Sequence, residues 1–180
     1  MKNTFLFIRH GESLANAKRF VGAQNDVPLT EKGRQQAEHA ALDLQNEDIA
    51  QIISSNLIRA KDTANIIAAT HNIEIEIWPG LNEVNAGKIA GTHNSIKHSF
   101  LERSIAQQEG ESLGDLAVRA NNIVAKLEKL PYTDKTVVIV GHNTFTSIIF
   151  ATLKGLPKEK FLIHRNEWHM DNAKGLRIKL

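Results

Sequence analysis

The run from Thr4 to Ile8 is apolar and unbroken by charge, which predicts a buried strand. Residues 10 to 29 carry Gly11, Gly22 and Pro28 without sustained periodicity, so a long loop is expected there. Thr30 then caps a helix whose apolar face is Ala37, Ala40, Ala41 and Leu44, at i, i+3, i+4 and i+7. Ile49 to Ser54 reads as a short strand. Residues 57 to 70 read as a second helix, with Ala60, Thr63, Ala64 and Ile67 on one face. Ile73 to Trp78 alternates apolar and charged residues, as a half-exposed strand does. Residues 80 to 111 are the least regular stretch, with a helix expected around 95 to 107. Ser112 and Asp115 form a capping box, opening an amphipathic helix through Leu113, Leu116, Ala117, Ala120, Val124 and Leu127. Thr136 to Val140 is a continuous β-rich run suited to a central strand covered on both faces. A helix from Asn143 to Leu153 follows it, closed by Gly155 and Pro157, and a last strand is expected near Gly175 to Leu180.

Strands alternating with helices predict an α/β fold, a three-layer sandwich whose mainly parallel central sheet is flanked by helices. The 180 residues suit one compact domain spanning 1–180, with no repeat, low-complexity tract or linker in view. In such sheets ligands sit beyond the carboxyl ends of the strands. Arg9 and His10 follow the first strand, Ser54 and Ser55 the second, Glu83 the third and His142 the fourth.

Composition narrows the chemistry. Hydrophobic residues are 42% and charged residues 23% of the chain, which is ordinary for a globular core. Net charge is only +2, with Lys and Arg scattered among Asp and Glu, which opposes a nucleic-acid face. There is no cysteine, so disulfides, thiolate catalysis and cysteine-based zinc sites are excluded. The apolar run ending at Ile8 is too short for a secretory signal, and nothing approaches the roughly 18 apolar residues of a membrane span. A soluble, cytoplasmic protein without membrane partners is expected.

The predicted strand ends would gather Arg9, His10, Arg59, Glu83 and His142, with Asn16 nearby. Arginine suits bidentate recognition of phosphate oxygens, and the helix opening at Asn143 would offer free N–H groups and its positive end to the same anion. Histidine titrates near neutral pH and, without cysteine, is the best available nucleophile toward a phosphoester. Competing uses of individual residues remain. Glu12 and Glu111 are alternative acids to Glu83. Ser54 and Ser55 lack a G-x-S-x-G elbow and read as structural. His93 and His98, like His164 and His169, are five apart rather than four, so zinc is not indicated. Lys88 and Lys97 read as solvated, and no phosphate-binding P-loop is present.

These residues carry a resemblance. Leu6-Phe7-Ile8-Arg9-His10-Gly11-Glu12-Ser13 resembles the R-H-G-x-[S/T] hallmark of the histidine phosphatase superfamily, in its phosphoglycerate mutase-like branch. Asn16, the Arg19–Gly22 and Asp26–Gly33 stretches, Ser54-Ser55-Asn56-Leu57-Ile58-Arg59-Ala60 with Thr63-Ala64, Leu81-Asn82-Glu83, Gly110-Glu111-Ser112 and Val140-Gly141-His142 follow in the family's order. The similarity implies that His10 takes the phosphoryl group and that Glu83 protonates the leaving oxygen and then activates water. Arg9, Asn16, Arg59 and His142 would hold the phosphate, with Asn143 adding a donor. Phe20, Val21, Gly22 and His93 are expected at the specificity end of the pocket. No metal or cofactor is implied.

The chain also departs from the family. Asn143 stands where many members have glycine, and Asn85-Ala86-Gly87-Lys88-Ile89-Ala90-Gly91 replaces a stretch usually rich in aromatics. The segment 92 to 109 is short, whereas bisphosphate-primed mutases are usually longer there and at the tail. The resemblance therefore implies a phosphoric monoester hydrolase of histidine acid type acting on a small phosphorylated metabolite, as monomer or homodimer. A phosphoglycerate-type mutase is the alternative within enzymes. A catalytically weak binding or scaffold protein is the alternative outside them.

Overall fold

The computed structural model describes residues 3–93, 109–131, 134–161 and 167–179. The helix expected at 95 to 107, with Lys97, His98 and His164, lies outside them. Five strands form one sheet in the order β3-β2-β4-β1-β5. They are β1 (Thr4–Arg9), β2 (Ile49–Ser54), β3 (Ile75–Ile77), β4 (Thr136–Gly141) and β5 (Gly175–Lys179). β1, β2, β3 and β4 pair in parallel, and β5 runs antiparallel along the outer edge of β1. The sheet is thus mixed but mainly parallel, with helices on both faces.

Among the described residues, five α-helices accompany it: α1 (Leu14–Ala17), α2 (Glu31–Leu44), α3 (Ile58–Ala69), α4 (Leu113–Glu128) and α5 (Asn143–Leu153). Alternation along β1 and β4 divides the core. Phe5, Phe7, Val137 and Ile139 pack with Leu116, Leu127, Phe145 and Ile148 of α4 and α5. Leu6, Ile8, Val138 and Val140 pack with Ala40, Ala41, Ala64 and Ile67 of α2 and α3. A strand covered on both faces needs an unbroken apolar run, which β4 supplies: all six of its residues are buried. Each large side chain so covered contributes about 1.5–3 kcal/mol relative to exposure.

The chain leaving β1 reaches α2 on one face, while the chain leaving β4 enters α5 on the other. Adjacent parallel strands whose successors diverge in this way open a crevice at their carboxyl ends. His10 and His142 stand at its base.

Three expectations change in detail. The loop after β1 contains a four-residue helix, α1, nucleated by a capping box between Ser13 and Asn16 that periodicity over so few residues cannot reveal. β3 spans three residues rather than six: Ile75 to Ile77 pair with β2, and the Trp78 N–H adds one further bond to Ser54 O at 2.8 Å before the chain turns away. The helix placed at 57 to 70 runs from Ile58 to Ala69.

Candidate active site

The backbone sets the two imidazoles side by side. The His10 N–H donates to Gly141 O at 3.0 Å, extending the β1–β4 ladder past its last paired residues, Arg9 and Gly141. The rings meet edge to face, 5.1 Å between centroids at 60°. Both residues are buried.

The hydrogen bonds of His10 define its tautomer. Nδ1 lies 2.6 Å from the Gly11 carbonyl oxygen, which can only accept, so Nδ1 carries the proton. Nε2 accepts from Arg59 Nε at 3.1 Å and therefore holds a lone pair. Burial, followed by the Arg59 charge, pushes the imidazole well below its usual titration range; the Gly11 carbonyl opposes the shift and Arg9 adds to it. At neutral pH the ring is a neutral base with its lone pair on Nε2.

Arg59 comes from the first turn of α3 and is itself buried. Its remaining donors bind the carbonyl oxygens of Asn25 at 2.8 Å and Ala23 at 2.7 Å, tying the 20–26 loop beside His10. Arg9 Nη1 donates to Met170 O at 2.9 Å, while its buried Nε makes no hydrogen bond among the described residues. Burial lowers the affinity of both guanidiniums for their protons, and the Glu83 charge opposes that for both.

Glu83 occupies the start of α5. Its Oε1 accepts the Phe145 N–H at 2.9 Å and its Oε2 the Thr144 N–H at 3.2 Å. This corrects one expectation: those two first-turn amides are committed to Glu83 rather than left for an external anion, since a carboxylate satisfies helix-end donors as a phosphate would. Asn143 differs in the same direction. Its Oδ1 accepts the Met170 N–H at 3.0 Å and its Nδ2 lies 3.1 Å from His169 Nδ1, so the side chain holds the tail instead of facing the crevice as a phosphate donor. The other carboxyl groups considered are engaged elsewhere. Glu12 pairs with Lys32 at 3.0 Å, and Glu111 with Arg119 at 2.7 Å.

Asn16 caps α1 through its Oδ1, which also accepts from Asn172 Nδ2 at 3.4 Å. Phe20 and His93 form an antiparallel bridge with rings 5.9 Å apart, and Val21 exchanges backbone hydrogen bonds with Gly91 and Thr92. Gly22 O accepts the Asn25 N–H at 2.9 Å, turning the loop back toward Arg59. A separate groove of about 380 Å³ lies between α2 and residues 171–174, lined by residues of both signs including Glu12, Lys32 and Asp171.

Two neighbours of the histidines have no signal in residue type. Asn172 donates to the His10 carbonyl at 2.9 Å, anchoring the tail against the site. Ser55 Oγ lies 2.7 Å from His142 Nε2, a contact that the position of Ser55 at the end of β2 would have suggested.

Among known proteins, the chain is 34% identical over 161 residues to the probable phosphoglycerate mutase GpmB of Escherichia fergusonii, covering 83% of this chain and 74% of that one. Identity is 32% over 160 residues to the GpmB of Photorhabdus laumondii, with the same coverage. Among solved structures, a mycobacterial glucosyl-3-phosphoglycerate phosphatase superposes with a TM-score of 0.82 at 26% identity, over 99% of this chain and 91% of that one. The family model described as histidine phosphatase superfamily, branch 1, matches residues 5–179. With the R-H-G segment at the end of β1 and a second histidine opposite it, the chain belongs to the histidine phosphatase superfamily.

Proposed function

We propose that this protein is a phosphomonoesterase that hydrolyses small phosphorylated metabolites through a covalent phosphohistidine at His10. The observation that carries the reading is the His10 tautomer: Nδ1–H is held by Gly11 O at 2.6 Å, and the Nε2 lone pair faces the Arg59 guanidinium. Arg59 would move its Nε–H from that lone pair to a phosphoryl oxygen, freeing Nε2 to attack. The P–Nε2 bond forms as the bond from phosphorus to the ester oxygen breaks, and Glu83, which must enter this step carrying a proton taken up from solvent or from the substrate monoanion, gives it to the leaving oxygen. Water then attacks phosphorus, Glu83 takes a proton from it, and the P–Nε2 bond breaks to release inorganic phosphate. Arg9, Arg59 and His142 offset the charge on the transferring group, where most of the rate gain of phosphoryl transfer arises. Of the carboxyl groups considered, Glu83 alone has no salt bridge among the described residues, which favours it over Glu12 and Glu111.

A mutase reading draws support from the relatives named probable phosphoglycerate mutase. Product analysis separates the two. A panel of phosphorylated metabolites should yield inorganic phosphate without a bisphosphate primer, and His10→Ala should abolish release. Phosphate transfer to a second hydroxyl with no net release would replace the phosphatase by a mutase. The trapped phosphoenzyme should be acid-labile and alkali-stable, and label that survives acid would move the nucleophile to a hydroxyl. A wild-type protein inert on the whole panel would favour the binding-protein alternative.

A further inference from the structure

The second buried histidine has a tautomer that the site depends on and that no charged neighbour selects. His142 Nε2 lies 2.7 Å from Ser55 Oγ, and its Nδ1 is buried without a hydrogen-bond partner among the described residues. His142 is 1% and Ser55 0% exposed, so neither has access to bulk water. Burial, then the charge of Arg59 and with it those of Arg9 and Arg119, lower the affinity of the imidazole for a second proton, so it has one N–H to place near neutral pH. Ser55 Oγ already accepts the Leu57 N–H at 3.3 Å. Its own proton has one acceptor within reach among the described residues, His142 Nε2.

Were Nε2 the protonated nitrogen, the serine hydroxyl proton would be stranded in a dry position. A lone pair on Nδ1 would also add repulsion toward any anion bound against the two imidazoles. We infer that Ser55 is a positioning residue, donating its hydroxyl proton to His142 Nε2 and so holding that ring as the Nδ1–H tautomer that offers a donor to the bound phosphoryl group. Both histidines then carry their proton on Nδ1 and use it oppositely. His10 buries its N–H in a carbonyl to expose a lone pair, and His142 buries its lone pair under a hydroxyl to expose an N–H.

The donor role rests on the phosphatase reading, but the tautomer does not, so the test begins without turnover. Nitrogen-15 NMR of the histidine rings at pH 7.5, with His142→Gln for assignment, should give a pyridine-type Nε2 and a pyrrole-type Nδ1 for His142. The reverse pattern overturns the inference, whatever the enzyme does. Adding inorganic phosphate should shift the His142 Nδ1–H resonance, and no shift under saturating phosphate removes the donor role. Ser55→Ala, checked for folding by thermal melt, should lower kcat by about 10- to 100-fold with KM changed less, because the lost donor matters most as charge builds in the transition state. Ser55→Cys, which retains a weak donor, should recover part of the loss. Wild-type kcat in a folded Ser55→Ala protein would overturn the assignment. Should that variant not fold, the wild-type ring pattern decides. A correct tautomer in a protein that hydrolyses no phosphoester would refute the proposed function and leave the tautomer assignment of Ser55 standing.

Discussion

Gly11 and Gly33 face each other where the segment after β1 crosses the start of α2. A Cβ on Gly11 would stand 2.2 Å from Gly33 O, and one on Gly33 would stand 2.0 Å from Glu12 O. Both obstacles are backbone, so no rotamer relieves them. Gly33 lies in the first turn of α2, where alanine is the better helix former by about 1 kcal/mol. The clash should outweigh that gain, and Gly33→Ala should destabilise the protein by about 2–3 kcal/mol net in urea denaturation. A neutral result would mean that the helix start slides away from Glu12 at no cost. Arg59 gives a second expectation at this scale. Arg59→Ala removes the donor to His10 Nε2 and both ties to the 23–25 loop, so kcat/KM should fall by about 10²–10³. A loss of tenfold or less in steady-state assays would place Arg59 outside the chemistry. The residues named from sequence are those whose type limits their use, such as Arg59 and His10. Ser55 and Asn172 are of common types, and their partners His142 and His10 lie 87 and 162 positions away, so residue type does not mark them and only the place of Ser55 at a strand end does.

At the scale of elements, the loop carrying Glu83 is held by α4. Arg119 forks onto both oxygens of Glu111 at 2.7 Å, donates to the carbonyls of Gly80 at 3.0 Å and Asn82 at 2.7 Å, and stacks 3.6 Å over the Phe145 ring. Glu111 in turn accepts the Asn85 N–H at 2.7 Å. One guanidinium therefore joins the 80–85 loop, the start of α4 and the residue whose amide holds Glu83. Lysine keeps the charge but has no planar fork to serve four acceptors in these directions. Arg119→Lys should cost about 2 kcal/mol of stability and lower kcat more than it raises KM, since substrate does not touch Arg119 but depends on where Glu83 sits. Denaturation and steady-state kinetics on one preparation check both parts, and an unchanged kcat would show that the α5 amides alone position the acid. The capping box at Ser112 and Asp115 is legible in sequence because its partners are three residues apart. The Arg119 hub is not, because two of its four acceptors are backbone carbonyls, which every residue has, and those lie 39 and 37 positions away. The stretch 10 to 29 illustrates the same limit, since α1 is shorter than two helical turns and has no periodicity to read.

At the scale of the whole molecule, the parallel order β2-β4-β1 brings residues 10, 55 and 142 to one end of the sheet and buries them there. The alternation of strands and helices announces that convergence, because the carboxyl ends of parallel strands share one edge. Burying two basic imidazoles there gives the fold a characteristic pH dependence. Both His10 and His142 titrate well below the ordinary histidine value in the folded state, mainly through burial and then through the Arg59 charge. The unfolded chain therefore binds more protons than the native state as pH falls below about 6.5. Stability is then fully present above that value and is lost as pH falls from it toward the depressed folded values. Each histidine contributes about one 2.303RT step per pH unit well below 6.5, so the pair should account for roughly 3 kcal/mol lost between pH 7.5 and 5.5. Glu12 and Glu47, held below their usual range by Lys32 and Arg177, act in a lower window, near and beneath the ordinary glutamate value, and leave this interval undisturbed. Urea denaturation at pH 7.5, 6.5 and 5.5 measures the slope, and His142→Gln should halve it. Equal stability across the interval would mean that both imidazoles accept protons in the folded protein. Below about pH 6.5 His10 would then lose to a proton the lone pair with which it attacks phosphorus, and turnover should fall with the same midpoint.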